Sequence, residues 1–248
     1  NLIIKCNSIL KNVVEKMSNK MGERYCHLNV CFQGNIFSIM QHTCVIEKYI
    51  GFCEADFGAR LMTKEAEYLR NELKGRRKIL DVGCGIGAFE QRLPELNIIG
   101  VDMSKEMIET ARARTTNPYC LADATRLPFL DASFDALFYV TSLDFMVNYK
   151  GVKEEEVRVL ARGGKLVAMV LNQESDYFKA HYSKRDSYFR RIKHKNPVEM
   201  ADYIAQHFYV QTHYFLGIDA EKIFDTQDKR YASLFIIKGN KKFRDTQG

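Results

Sequence analysis

At 248 residues, with 46% hydrophobic and 27% charged side chains, the chain can bury a substantial core and reads as one large domain with trimmings or two small ones. Its net charge of +6 is mild, and four prolines and fifteen glycines leave no room for a long disordered linker. No apolar run approaches the roughly 20 residues that cross a bilayer, and NLIIKCNSIL has no small-residue cleavage pattern, which reads against a signal peptide.

Residues 1–50 read as an N-terminal extension. Leu10, Val13, Val14 and Met17 there follow helical spacing, as expected of a packing or dimer helix in a monomer or homodimer. Seven cysteines, at positions 6, 26, 31, 44, 53, 84 and 120, form no CxxC pair, which suggests reduced thiols and a cytoplasmic protein. Cys26, Cys31, Cys44 and Cys53 match no usual zinc or iron–sulfur spacing, so no metal is expected.

Residues 51–240 carry a regular pattern. Met62, Ala66, Leu69 and Leu73 mark one helix face, which Gly75 can end. Short apolar runs at 79–82, 98–101, 119–122, 134–140 and 166–171 then alternate with helical stretches, predicting βαβ units and a parallel sheet covered on both faces. Ser104 suits an N-cap, and Gly163-Gly164 reads as the turn into the fifth run. Residues 173–195 break the rhythm with seven Lys or Arg among several aromatics. Asn196-Pro197-Val198-Glu199 restarts a helix as a cap, a first-turn proline and a capping-box glutamate. Runs at 209–216 and 231–237 read as an antiparallel pair finishing the sheet, and 241–248 as a basic tail.

The strongest motif is Asp81-Val82-Gly83-Cys84-Gly85-Ile86-Gly87, where glycines permit a tight turn and close approach of a ligand to the backbone. Gly83, Gly85 and Ala88 also satisfy the dinucleotide fingerprint G-x-G-x-x-A, which leaves a nicotinamide oxidoreductase as an alternative. The acids discriminate between the two. Asp81 inside the turn would repel a diphosphate and attract the ammonium and sulfonium of S-adenosylmethionine. Asp102, ending the second run, can accept both ribose hydroxyls, and Asp123, ending the third, can accept from an adenine amine.

With GVDMSKEMIETAR, the Ala122-Asp123-Ala124 step, LPFLDASFD and RVLARGGKLV in order after DVGCGIG, residues 60–172 resemble the class I S-adenosylmethionine-dependent methyltransferases, particularly the small-molecule branch related to quinone-biosynthesis enzymes. The resemblance implies an α/β Rossmann-like fold, a seven-stranded, mostly parallel sheet with an antiparallel last strand. It implies S-adenosylmethionine as cofactor, with Asp81, Gly83, Cys84, Gly85 and Gly87 at its methionine end, Asp102 at ribose, Met103 packing on adenine, and Asp123 with Ala124 at the adenine amine.

Methyl transfer asks mainly for alignment and exclusion of water, with a general base only where the acceptor must lose a proton. In the resembled family the segment TSLDF faces the methyl end, which makes Asp144 the candidate substrate-facing carboxylate. Residues 173–195 fall where such enzymes cover the acceptor. Tyr177, His181 and Tyr182 could line its pocket, and Arg190 and Arg191 could meet an acidic group. A small-molecule acceptor is therefore expected. RNA methylation is the alternative that the basic aromatic segment raises, but no RNA-binding module and no NPPY-type tetrapeptide accompany it, so a nucleic-acid partner is not expected.

Overall fold

In the computed structural model, residues 46–185 and 187–243 are described. The helix expected at 10–17 and the end of the basic tail lie outside them. Residues 46–54 are helical, and α1 follows at Asp56–Glu72. Met62, Ala66, Leu69 and Leu73 are all buried, as one-turn spacing requires of a face laid on a sheet.

Strands β1 (Ile79–Val82), β2 (Ile98–Asp102), β3 (Tyr119–Leu121), β4 (Phe134–Val140) and β5 (Leu160–Leu171) pair in parallel and alternate with α2 (Ala88–Arg92), α3 (Lys105–Arg114) and α4 (Tyr149–Val159). Beyond β5 come α5 (Asp176–Tyr182), a 3-10 turn (Tyr188–Arg191), α6 (Pro197–Ala205), β6 (Phe208–Asp219), β7 (Lys222–Phe224) and β8 (Ala232–Lys241). The sheet order is β3-β2-β1-β4-β5-β8-β6-β7. β8 slots between β5 and β6, antiparallel to both, which forms the antiparallel pair expected at this end. An eighth strand exceeds the seven expected, because residues 222–224 fold back on the end of β6 as a hairpin.

Two local expectations resolve differently. Ser104 and Asn196 do cap α3 and α6, accepting N–H bonds from Met107 and from Val198 and Glu199. Gly163-Gly164, however, lies inside β5, where a register shift opposite β4 makes the pair a bulge and not a turn before the strand. Leu80, Val82, Leu137, Tyr139, Leu166 and Ala168 pack one sheet face against Val152 of α4 and Met200 and Ile204 of α6. Near-continuous burial along β1 and β4 is what strands covered on both faces require. The chain leaves β1 toward β2 and β3 on one side and returns to β4 and β5 on the other. Such a reversal opens a crevice at the carboxyl ends of β1 and β4, the usual place for a ligand in an open α/β sheet.

Candidate active site

The glycine loop bridges β1 and α2 across this crevice. The N–H groups of Gly83 and Cys84 both donate to the Val101 carbonyl, at 2.7 and 3.0 Å, so the loop is tied to β2. Gly83 has φ 81°, and a Cβ there would lie 2.5 Å from the Ser142 Cβ. Gly87 has φ 73°, and its Cβ would meet the Tyr119 hydroxyl at 2.5 Å. Conformation and space both demand glycine at these two positions. Ser142, just past β4, donates its hydroxyl to the Val82 carbonyl at 2.7 Å, which fastens the opposite wall.

Asp102 closes the loop from the β2 side. Its Oδ2 accepts the Gly85 N–H and its Oδ1 the Ser104 N–H, each at 2.9 Å. A carboxylate oxygen has two acceptor sites, so one on each oxygen remains for a ligand hydroxyl. Burial pushes this carboxyl up, and the N–H groups of Ser104, Gly85 and Met103 pull against it. Met103 stands 78% exposed on the rim. Asp123, past β3, is exposed, and both bonds from Thr125 fall on its Oδ1, holding its carboxyl below the usual range. Ala124 beside it packs partly against the core.

Asp81 is 2% exposed, and among the described residues its Oδ2 has no hydrogen-bond partner. Facing it is Glu90 of α2, 1% exposed, with neither carboxyl oxygen hydrogen-bonded among those residues. Burial, then the charges of Glu90 and Asp102, push Asp81 well up, and burial also raises Glu90. A ligand cation at the end of β1 would thus meet buried negative charge, whereas a diphosphate would meet repulsion. The residues present fit S-adenosylmethionine on that ground. Glu90 is the group that sequence reasoning missed. The available signal was a glutamate one residue past the buried Ala88-Phe89 step, on a helix too short to turn it to solvent.

The Cys84 side chain packs with Ile108, Ala111 and Tyr119, and burial followed by the Asp81, Glu90 and Asp102 charges pushes its thiol far up. It is an inert packing thiol. Since its N–H already serves Val101, nothing in its geometry assigns the side chain to a cofactor.

Asp144, expected to face the substrate, is bound within the wall of the crevice. It is 1% exposed, and both carboxylate oxygens accept from the Leu171 N–H, at 3.2 and 3.4 Å. Burial raises its carboxyl to about 7 against that bond. Its carbonyl takes the N–H groups of Lys193 and His194, and the His194 ring lies 2.6 Å from the Met146 carbonyl. The residue fastens the β4–α4 wall to β5 and to the end of the 173–195 segment. Sequence position located it beside the crevice but could not tell which way the side chain turned.

The aromatic member that reaches this wall is Tyr188, whose ring lies 4.6 Å from Phe145 and whose phenol feels both Asp102 and Asp144. Tyr49 approaches from the other side, its ring 3.7 Å from where a Gly85 Cβ would be. Tyr177 stacks on His181 at 4.3 Å and packs near Phe57 and Phe189, and burial raises its phenol to about 12. His181 contacts the Tyr177 carbonyl through Nδ1 at 2.9 Å. Arg190 lies over Tyr182 and Arg191 over Tyr188, both cations exposed. A cleft of about 440 Å³ is lined by His181, Lys184, Arg185, Ser187, Tyr188 and Phe189. Among the described residues, no helix is long and apolar enough to cross a membrane.

Residues 80–168 match the family described as a methyltransferase domain. The chain is 38% identical over 123 residues to the protein MJ1123 of Methanocaldococcus jannaschii, covering 49% of this chain and 57% of that one. It is 34% identical over 122 residues to the methyltransferase GfsG of Streptomyces halstedii, covering 45% and 43%. It is also 34% identical over 102 residues to the demethylmenaquinone methyltransferase of Deinococcus radiodurans, covering 38% and 42%. The chain spans about half the length of the curated relatives it matches. A solved S-adenosylmethionine-dependent methyltransferase from Thermotoga maritima superposes with a TM-score of 0.66 at 21% identity, covering 79% of this chain and 96% of that one, and speaks for the fold.

Proposed function

We propose that this chain, whose residues 80–168 match a methyltransferase-domain family, is a class I S-adenosylmethionine-dependent methyltransferase that transfers a methyl group to a small-molecule acceptor by direct in-line displacement. The observation that carries the reading is the succession of Asp81, Asp102 and Asp123 at the carboxyl ends of β1, β2 and β3, with Asp81 buried and its Oδ2 without a hydrogen-bond partner among the described residues. When bound, S-adenosylmethionine supplies a methyl group already activated by its sulfonium. Asp81 and the backbone of Gly83, Gly85 and Gly87 would hold the methionine end. Asp102 would accept the ribose hydroxyls, Met103 would cover the adenine and Asp123 would accept from its amine.

What the chain itself contributes is orientation and dryness, a combination that can supply ~7–11 kcal/mol. Tyr188 and Phe145 form an aromatic wall where the acceptor would lie, and the segment with Tyr177, His181, Tyr182, Arg190 and Arg191 covers it. Arginines pair with carboxylates and stack on rings, so an acidic or aromatic acceptor suits this lining. The demethylmenaquinone named for the Deinococcus radiodurans relative is an acceptor of the aromatic kind. Free thiols at Cys53, Cys84 and Cys120 support a cytoplasmic setting. Titration calorimetry should give binding of S-adenosylmethionine and its demethylated product without binding of NAD, and a screen of small-molecule extracts should then give methyl incorporation. Preferential binding of NAD would overturn the reading.

A further inference from the structure

Two buried carboxyl groups lie beneath the glycine loop, and only Asp81 has a role so far. In the sheet register Asp81 stands beside Gly100 of β2 and Phe138 of β4. Gly100 leaves the space that Glu90 enters from α2: a Cβ on Gly100 would lie 2.7 Å from Glu90 Oε1 and 2.6 Å from the Tyr119 ring. The groups facing the pair are Cys84 from the loop, Asp102 from β2, Tyr119 from β3 and Tyr139 from β4. Among the described residues, no lysine or arginine figures among the groups acting on Asp81 or Glu90.

Two apposed carboxylates without a cation are too costly to bury, so the pair keeps one proton, with the O–H of one donating to the other. That proton belongs to the pair and not to either residue. We propose that Glu90 shares one proton with Asp81, and that arrival of the cofactor's ammonium group beside Asp81 expels the shared proton, so that cofactor uptake is coupled to pH. The inference rests on the assignment of S-adenosylmethionine to this crevice. Charge balances: the pair passes from one negative charge to two, the ammonium brings one positive charge, and the proton leaves to solvent. Glu90 touches Asp81 and not the cofactor, which makes it a positioning residue.

Burial raises both carboxyls, Asp81 well up and Glu90 to about 7, so the shared proton is held through pH 6–8. One fully coupled proton tightens binding by up to about 10-fold per pH unit while the pair holds it, affinity rising with pH. The test is calorimetric titration of the full chain with S-adenosylhomocysteine at pH 6, 7 and 8, in two buffers of different ionisation heat. The wild type should release close to one proton at pH 6, and affinity should rise as stated. Glu90→Gln keeps the volume and puts an amide N–H donor to Asp81 in place of the shared proton, so its release should vanish and its affinity should vary less than about 2-fold. 5′-Methylthioadenosine lacks the amino-acid end and should release no proton from the wild type, a contrast that decides the matter even if the variant does not fold. Binding of S-adenosylhomocysteine without proton release, or equal release in Glu90→Gln, would overturn the proton-holding role and leave the cofactor assignment standing. Failure of the wild type to bind either nucleoside at any pH would overturn both.

Discussion

The crevice and the 173–195 segment proposed as its cover handle charge in opposite ways. In the crevice, Asp81, Glu90 and Asp144 are almost wholly buried, and Asp102 is clamped by two N–H groups, none of them in an ion pair among the described residues. In the 173–195 cover, Lys184, Arg185, Arg190 and Arg191 are exposed, while the acids Glu174 and Asp176 are engaged by Lys229 and Arg230. A buried charge is costly until something of opposite sign arrives, so the crevice is tuned to one cationic ligand and tolerates little change. An exposed charge costs almost nothing to hold or to replace, so the cover is free to suit one acceptor or another. Substitutions should therefore hurt much more in the first region than in the second.

The largest effect is expected at Gly83. An alanine there meets a left-handed backbone, costing ~1–2 kcal/mol, and must also displace Ser142 at another ~1–3 kcal/mol. Gly83→Ala should lower the melting temperature by about 5–15 °C and remove detectable binding of S-adenosylhomocysteine. Gly51→Ala is the control, since nothing lies within 4 Å of a Cβ there and the residue is helical; its melting temperature should be unchanged or slightly higher. Equal melting of the wild type and Gly83→Ala would mean that the loop is not held as the structure has it.

Next comes Asp102. Charge-assisted hydrogen bonds contribute ~1.5–3 kcal/mol, so Asp102→Ala should weaken cofactor binding about 10-fold to 150-fold while the chain stays folded. Part of that loss would come from releasing the Gly85 and Ser104 N–H groups. Asp102→Asn keeps one carbonyl acceptor and should fall between the wild type and the alanine variant. If calorimetry found all three alike, Asp102 would be a loop fastener and nothing more.

Legibility in the sequence follows the same division. β1 to β4 and the loop were readable because their signals are local: apolar runs bounded by glycines, and acids at fixed offsets from them. β7 was not, since three residues folding back on β6 carry no period of their own. Glu90 escaped because its burial depends on Gly100 of the next strand, which vacates the space opposite. The direction of the Asp144 side chain depends on Leu171 offering an N–H across the wall, which no local pattern announces. In the cover, the sequence listed the aromatics and cations but could not say which would stack on one another. The Tyr177, His181 and Phe189 rings pack on one another.

A pH titration sharpens the contrast at intermediate cost. Burial raises the carboxyls of Glu65 to about 8, and of Glu156 and Asp144 to about 7, opposed by Arg92, by Tyr139 and Lys153, and by the Leu171 N–H respectively. A carboxyl whose folded value exceeds its unfolded one binds more protons when folded. Its stabilisation is therefore complete below about pH 4 and is lost as pH rises through the folded value. The ligand-free chain should melt lower at pH 8.5 than at pH 5.5, by several degrees, and Glu65→Gln should remove part of that slope. A melting temperature that rose with pH would show these carboxyls ionised in the folded chain.

The smallest effect belongs to the cover. Arg190 and Arg191 stack on Tyr182 and Tyr188 at 5.6 and 5.7 Å, exposed contacts of a kind that contribute ~0.5–1 kcal/mol. Neither figures in an ion pair with a carboxylate among the described residues, so an anionic acceptor would be a new partner for them and would not displace an old one. The double change Arg190→Ala and Arg191→Ala should leave the melting temperature and cofactor affinity at wild-type values, because neither residue touches the glycine loop or Asp102. With an acceptor identified by methyl incorporation, kcat/KM should fall about 5-fold to 10-fold, mainly through KM. Unchanged kcat/KM would make the two arginines ordinary surface cations. A loss of cofactor affinity would instead show that the cover, through Tyr188 and its contact with Phe145, also sets the geometry of the crevice below it.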